Sequence, residues 1–172
     1  MNMKTRGITL VVCLVFLALL SILGVSALTS STFHEKMTAN TLQREVAFQA
    51  ADTALRDGER WIDAQIAAPT AVSTCTTPPC RVWQAGVLPD LSTQSLAWWQ
   101  INGTPFSSAL GLNIANTPYY IIEFILFAPD NLDPATTATG IGTYFYRITS
   151  YAVGPTTDSQ SIVQSVYATR YN

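Results

Sequence analysis

An uncharged apolar run from Ile8 to Leu28, continued by an unbroken helix pattern to about Ala68, limits what this chain can fold into more than any other feature. The run holds 21 residues with no charge and no proline. At about 1.5 Å per helical residue it reaches the ~30 Å of a bilayer core, so it is long enough to span a membrane. Lys4 and Arg6 precede it, while Thr29 to Phe33 carry no basic residue. The positive-inside bias then puts the N-terminus in the cytoplasm and the rest of the chain outside. A removable secretory signal is the competing reading, because Val25-Ser26-Ala27 is a passable cleavage site, but such signals carry only ~7 to 15 apolar residues.

The residues beyond Ala27 also favour retention. Leu28 to Ala68 contains no proline and a single glycine, Gly58, and is rich in Ala, Leu, Glu, Gln, Arg and Met, so a helix is its natural continuation. Phe33, Met37, Ala47, Ala51, Leu55, Ile62 and Ile66 mark an apolar face, with charged and amide side chains on the others. Ala47, Ala50, Ala54 and Gly58 fall near one stripe, which would let a sheet or a second helix approach closely. Pro69 ends the pattern. Helical throughout, Ile8 to Ala68 would extend about 90 Å, more than a domain of this size can bury. Its first half must find partners in lipid or in a bundle of similar helices.

The expected organisation is a leader at 1–7, a long helix at 8–68 with 8–28 in the membrane, and one α+β head at 69–172 whose antiparallel sheet packs on the helix. About 100 residues suffice for one modest core. In that head Cys75 and Cys80 enclose Thr-Thr-Pro-Pro, and outside the cytoplasm a disulfide closing this loop is the first expectation. Free thiols or half a metal site are the alternatives, although no second Cys pair exists and His34 is the only histidine. Residues 75–116 read as a long tethered connection with short local elements. Trp98-Trp99 within it is either core and cover or an exposed contact patch. Pro118 to Ala128 is a near-continuous run of β-formers and reads as a central strand. Thr143 to Val153 alternates and should have one buried and one wet face. Gln160 to Thr169 should pair with it across a Gly154-Pro155 turn. Glu123, among apolar neighbours, needs Arg147 or Arg170 as a partner.

Chemistry-bearing patterns are sparse. The chain has no Gly-rich phosphate loop, no nucleophile elbow and no Ser/His/Asp set that His34 could serve, so an enzyme is not expected and no cofactor is called for. Ala128 to Pro134 has oxygen-bearing side chains that suit a turn better than a calcium loop. With 12% charged residues, a formal net charge of −2 and a mean hydropathy of +0.23, nucleic acid is not an expected partner.

Lys4-Thr5-Arg6-Gly7 followed by Ile8-Thr9-Leu10-Val11-Val12 resembles the leader and start of a type IV prepilin. Arg6 to Val12, Leu23-Gly24-Val25-Ser26-Ala27 and Ala47 to Arg56 are together similar to the N-terminal region of PilX-type minor pilins, and Tyr146 to Ser150 and Gln164 to Ala168 resemble that family's closing strands. Residues 69–117 show no recognisable counterpart. The resemblance implies a pilin-like fold, cleavage after Gly7 by prepilin peptidase and methylation of Ile8. It also implies bundle contacts through Leu10, Val12, Phe16, Leu20 and Gly24, with Trp83, Trp98, Trp99 and the Cys75–Cys80 loop as candidates for head contacts with partners. The implied partners are minor pilins of the PilV, PilW, FimU and PilE types, the major pilin, and a PilY-class tip adhesin. The implied location is the inner membrane, single-pass with the head periplasmic, and then the tip of a fibre used in twitching motility and cell adhesion. Val12 departs from the major-pilin pattern, in which the fifth mature residue is a glutamate. The alternatives are a tip-type pseudopilin of a type II secretion system, or an unrelated single-pass or secreted envelope binding domain.

Overall fold

The computed structural model describes residues 5–76, 80–108, 110–131 and 140–171. By contact density the chain divides into two units, Met1–Leu42 and Gln43–Asn172. One helix, α1 at Thr5–Asp63, belongs to both. Within the first unit its side chains are exposed wherever they are described. Three of its hydroxyls are satisfied locally, with the Ser21 hydroxyl donating to the Leu17 carbonyl at 2.8 Å, and Thr38 and Thr41 bonding back in the same way to His34 and Met37. A hydroxyl so bonded exposes little polarity, which suits it to an apolar surrounding.

In the second unit the C-terminal part of α1 lies on a sheet of strands β1 (Val82–Gln84), β2 (Thr104–Pro105), β3 (Tyr119–Pro129), β4 (Gly142–Val153) and β5 (Gln160–Arg170). The order is β1-β3-β4-β5, and β2 shares with β1 the same edge of β3. The three long strands are antiparallel, each within one residue of its sequence-read bounds, and β3 is interior as its continuous hydrophobicity implied. β1 adds a parallel pairing, Val82 opposite Ile122, so the sheet is mixed. A bulge between Phe124 and Leu126 interrupts the β3–β4 register.

The small-residue stripe explains the helix–sheet packing. Ala47, Ala50, Ala51, Ala54, Leu55 and Ile62 are buried, and Ala54, Leu55 and Ile62 share a cluster with Tyr120, Ile122, Tyr146 and Ile148 on one face of the sheet. A Cβ on Gly58 would lie 3.0 Å from Ile148 Cγ2 and 3.1 Å from Tyr120 Cδ2, so glycine is what lets the helix come this close. The helix stops at Asp63, earlier than the pattern to Ala68 suggested. Gln65 N–H bonds to the Ile62 carbonyl in a tightened final turn, and the Gln65 side chain caps the Trp61 carbonyl at 2.9 Å. Ile66, read as part of the apolar face, is exposed and offers the helix nothing to pack.

The opposite face of the sheet is not wet along its whole length. Thr149 and Tyr151 are buried there, because an outer layer covers them: a short 3-10 helix at Leu91–Thr93 and α2 at Leu96–Asn102, packed with Trp83 of the edge strand β1. Trp83, Leu91, Trp99, Ile121, Tyr151 and Val153 form its cluster. Asp90 caps the 3-10 helix through Ser92 N–H, and Ser95 caps α2 through Trp98 N–H. The segment read as a loose connection is therefore a built third layer.

Candidate functional site

Two surfaces of this chain can do work: the bare apolar helix in the first unit, and the head surfaces left open in the second. Along the helix, Ile8, Leu10, Val12, Phe16 and Leu20 are all exposed, and no atom lies within 4 Å of where a Gly24 Cβ would stand. The helix is long and apolar enough to cross a membrane. Exposing this many large apolar side chains to water is unfavourable by roughly 25 cal/mol per Å², so the surface calls for lipid or for other helices. Gly7 lies within the helical segment.

In the head, Cys75 and Cys80 are joined in a disulfide. On the chain-entropy account a ring this short stabilises by about 2 kcal/mol. It packs on the outer-layer cluster and borders a cleft of about 420 Å³ with Trp83, Ile101 and Pro105. The three tryptophans named as contact candidates separate here. Trp99 is 0% exposed and stacks on Tyr151 with centroids 5.4 Å apart, and Trp83 is 6% exposed. Neither has surface to offer a partner, and both act as core. The neighbouring Trp98 stands edge-on to Trp99 at 5.6 Å and is only partly buried, and Ile101 one turn on is exposed.

Glu123 and Arg147 are directly opposed across β3 and β4 and form an ion pair at 3.6 Å, with the carboxylate almost fully buried and the guanidinium partly open. Arg170, the other partner considered from sequence, is paired with Asp130. Glu123 and Arg147 border a cleft of about 400 Å³ with Asp90, Thr149 and Gln164, and the Gln164 amide donates to Thr149 Oγ1 at 2.9 Å. This is the chemistry of a satisfied cross-strand pair. Of the loop at Ala128 to Pro134, Leu132, Asp133 and Pro134 fall outside the described residues. Among the described residues no cluster of His, Cys, Asp or Glu has metal-holding geometry.

The helix and β5 are tied by side chains that the sequence did not single out. Ser165 donates to Glu59 at 3.0 Å and the Tyr167 hydroxyl donates to Asp63. That bond, with desolvation second, pushes the Tyr167 phenol up to about 12. Burial likewise raises Tyr120, Tyr151 and Tyr171, and it raises Tyr146 further. The signal for these ties was present as carboxylates at Glu59 and Asp63, spaced one turn apart, but nothing local paired them with a strand a hundred residues on.

Two family models match the chain: PilX N-terminal over residues 6–56, and the type IV pilus assembly protein PilX C-terminal region over residues 63–169. The second runs through residues 69–117, where sequence reading found no counterpart, so the outer layer belongs to the family pattern as well. No curated protein and no solved structure matches the chain. With an apolar helix that fits a membrane anchor leading into a helix-on-sheet head, and family matches along nearly the whole length, the chain belongs to the PilX family of type IV pilus minor pilins.

Proposed function

We propose that this chain joins other minor pilins in the inner membrane to prime type IV pilus assembly, and that it stays at the fibre tip. Prepilin peptidase removes residues 1–7 on the cytoplasmic side and methylates Ile8, and the head stays periplasmic until the fibre extends. Leu10, Phe16, Leu20 and the bare surface at Gly24 enter a bundle with helices of PilV-, PilW-, FimU- and PilE-type subunits and then of the first major pilin. A PilY-class adhesin sits above them. The chain performs no catalysis in this scheme. Its contribution is to lower the barrier to withdrawing the first major pilin from lipid.

The observation that carries the tip position is Val12, exposed on the apolar helix where the major-pilin pattern has glutamate. In a fibre interior that carboxylate meets the N-terminal amine of an adjoining subunit. A subunit with no predecessor has no amine to meet, and an unpaired carboxylate at bilayer depth costs about 3 kcal/mol or more. Valine avoids that cost. Replacing Val12 with Glu should therefore reduce piliation or displace the subunit from the tip, whereas unchanged piliation with unchanged tip location removes the argument. The N-terminal peptide mass from cells with and without active peptidase tests the scheme beneath it. An N-methylated Ile8 dependent on the peptidase is expected, and a start at Leu28, or Met1 intact in both strains, overturns it.

A further inference from the structure

Strand β5 ends the sheet, with no described strand on its outer side. Among the described residues it pairs with β4 alone, and no main-chain hydrogen bond from a turn or loop reaches Gln160–Arg170. The opposite edge is managed differently: β1 has three residues, Val72 bridges Trp83 outside it, and β2 pairs with Tyr119 and Tyr120 farther along the same edge of β3.

The direction of each β5 peptide is set by the hairpin. Gly154 N–H donates to the Ser159 carbonyl at 2.7 Å, and the β4–β5 ladder then runs from Val153 opposite Gln160 without a register shift. Antiparallel pairs alternate between bonded and non-bonded. Ser161, Val163, Ser165, Tyr167 and Thr169 therefore turn N–H and C=O toward β4, while Gln160, Ile162, Gln164, Val166, Ala168 and Arg170 turn theirs outward. Proteins ordinarily blunt such an edge with a lysine, a proline, a bulge or a short strand. β5 is 11 residues long, has no bulge against β4 and no proline, and carries its only charge at the terminal Arg170.

An open row of alternating donors and acceptors, bonded to water in the isolated chain, is matched in spacing by another extended main chain. The flanking side chains say more. On the outer face Val166 is 63% exposed, and Ala168 lies in line with Phe145 and the exposed Leu126. On the helix face the carboxylates of Glu59 and Asp63 hold Ser165 and Tyr167. We propose that β5 takes up an extended strand from a neighbouring minor pilin at the fibre tip. The added strand would place apolar side chains against Val166 and Ala168, and alternating polar or basic ones toward Glu59 and Asp63. The identity of the donor rests on the assembly role proposed above, whereas the mode of docking rests on the edge itself.

The test is residue-resolved hydrogen exchange on the full chain in detergent, alone and after co-expression and co-purification with the other minor pilins. In the isolated chain the amides of Val163, Ser165 and Tyr167 should be protected and those of Ile162, Gln164, Val166 and Ala168 fast. In the complex the second set should slow by at least about a hundredfold. Val166→Pro deletes one outward donor and no ladder bond, so it should cut co-purified partner by at least about tenfold while the inward amides stay protected. Val166→Thr, which keeps the donor, should bind as before. A complex with the outward amides still fast, or undiminished by Val166→Pro, overturns the proposal. Protection of the outward amides in the concentrated isolated chain means that a second copy fills the edge, and overturns the named donor. If the unsubstituted chain co-purifies with no minor pilin, the assembly role itself falls, and the donor with it.

Discussion

Gly58 places two opposing effects on one atom. Within a helix interior, glycine costs about 1 kcal/mol relative to alanine, so an exposed helical site would gain from Gly→Ala. Here the new methyl would stand 3.0 Å from Ile148 Cγ2 and 3.1 Å from Tyr120 Cδ2. Both neighbours are buried in the core cluster between helix and sheet and have no free side to retreat to. Overpacking of this kind costs about 1 to 3 kcal/mol. The clash should exceed the helix gain, leaving Gly58→Ala less stable by about 1 kcal/mol, or a Tm lower by ~2 to 4 °C for a domain of this size. Gly58→Leu should lose roughly 3 kcal/mol or more, since it adds the whole side chain to the same space.

Tryptophan fluorescence of the full chain in detergent isolates the relevant transition, because Trp61, Trp83, Trp98 and Trp99 are its four tryptophans and all lie in the second unit. A double-mutant cycle gives the decisive measurement. Ile148→Ala removes the atom nearest the new methyl and opens room for the Tyr120 ring to shift, so in that background Gly58→Ala should become stabilising, by up to about 1 kcal/mol. If Gly58→Ala raises the Tm of the otherwise unaltered chain, or if its effect is the same in both backgrounds, the helix does not sit on the sheet as closely as argued.

The tyrosines predict an alkaline limit to stability. The bond to Asp63 pushes the Tyr167 phenol up from 10.0 to about 12 in the folded chain, so its contribution should be complete below pH 10 and lost as the pH rises through about 12; Asp63→Asn should bring this phenol back down, seen as earlier phenolate absorbance in a difference titration, and an unmoved titration would refute the role of that bond. For Glu123 and Arg147, Arg147→Leu strands a buried carboxylate and should cost about 2 to 3 kcal/mol, less than a wholly buried pair because the guanidinium is partly solvated, whereas Glu123→Leu with Arg147→Leu should stay within about 1 kcal/mol of the native chain; additive single and double changes in urea unfolding would show that the two groups do not depend on each other.

Features set by local periodicity could be read from the residues. The apolar run at Ile8 to Leu28, the small stripe ending at Gly58, the three long strands and the short Cys75–Cys80 ring each depend on neighbours in sequence. The opposition of Glu123 and Arg147 was readable as a choice of two, because a buried carboxylate needs a cation and the two strands that follow offered Arg147 and Arg170; the order β3-β4-β5 then puts only Arg147 on a neighbouring strand. The end of α1 at Asp63 was not readable. It depends on whether Ile66 finds a surface to cover, and that is decided by where the sheet stops. The outer layer was hidden for a related reason. A segment rich in Pro, Ser, Thr and Gly has no period of its own, and its order comes from the parallel pairing of Val82 with Ile122, a contact no local pattern announces.

That pairing also decides which surfaces remain for assembly. Two adjacent tryptophans and a third nearby suggest a sticky patch as long as nothing is seen to bury them. Once β1 joins β3, Trp83 and Trp99 turn inward onto Ile121, Tyr151 and Val153, and the burial of a large aromatic is far better spent on holding a third layer than on a transient contact. Among the described residues the surfaces left without a protein partner are elsewhere: apolar side chains along the first unit of α1, which suit lipid or other helices, and outward main-chain groups along β5, which suit another strand. Among the described residues neither finds its partner, so the hydrophobic and hydrogen-bonding requirements that fold the head are the ones that the proposed membrane and assembly contacts would complete.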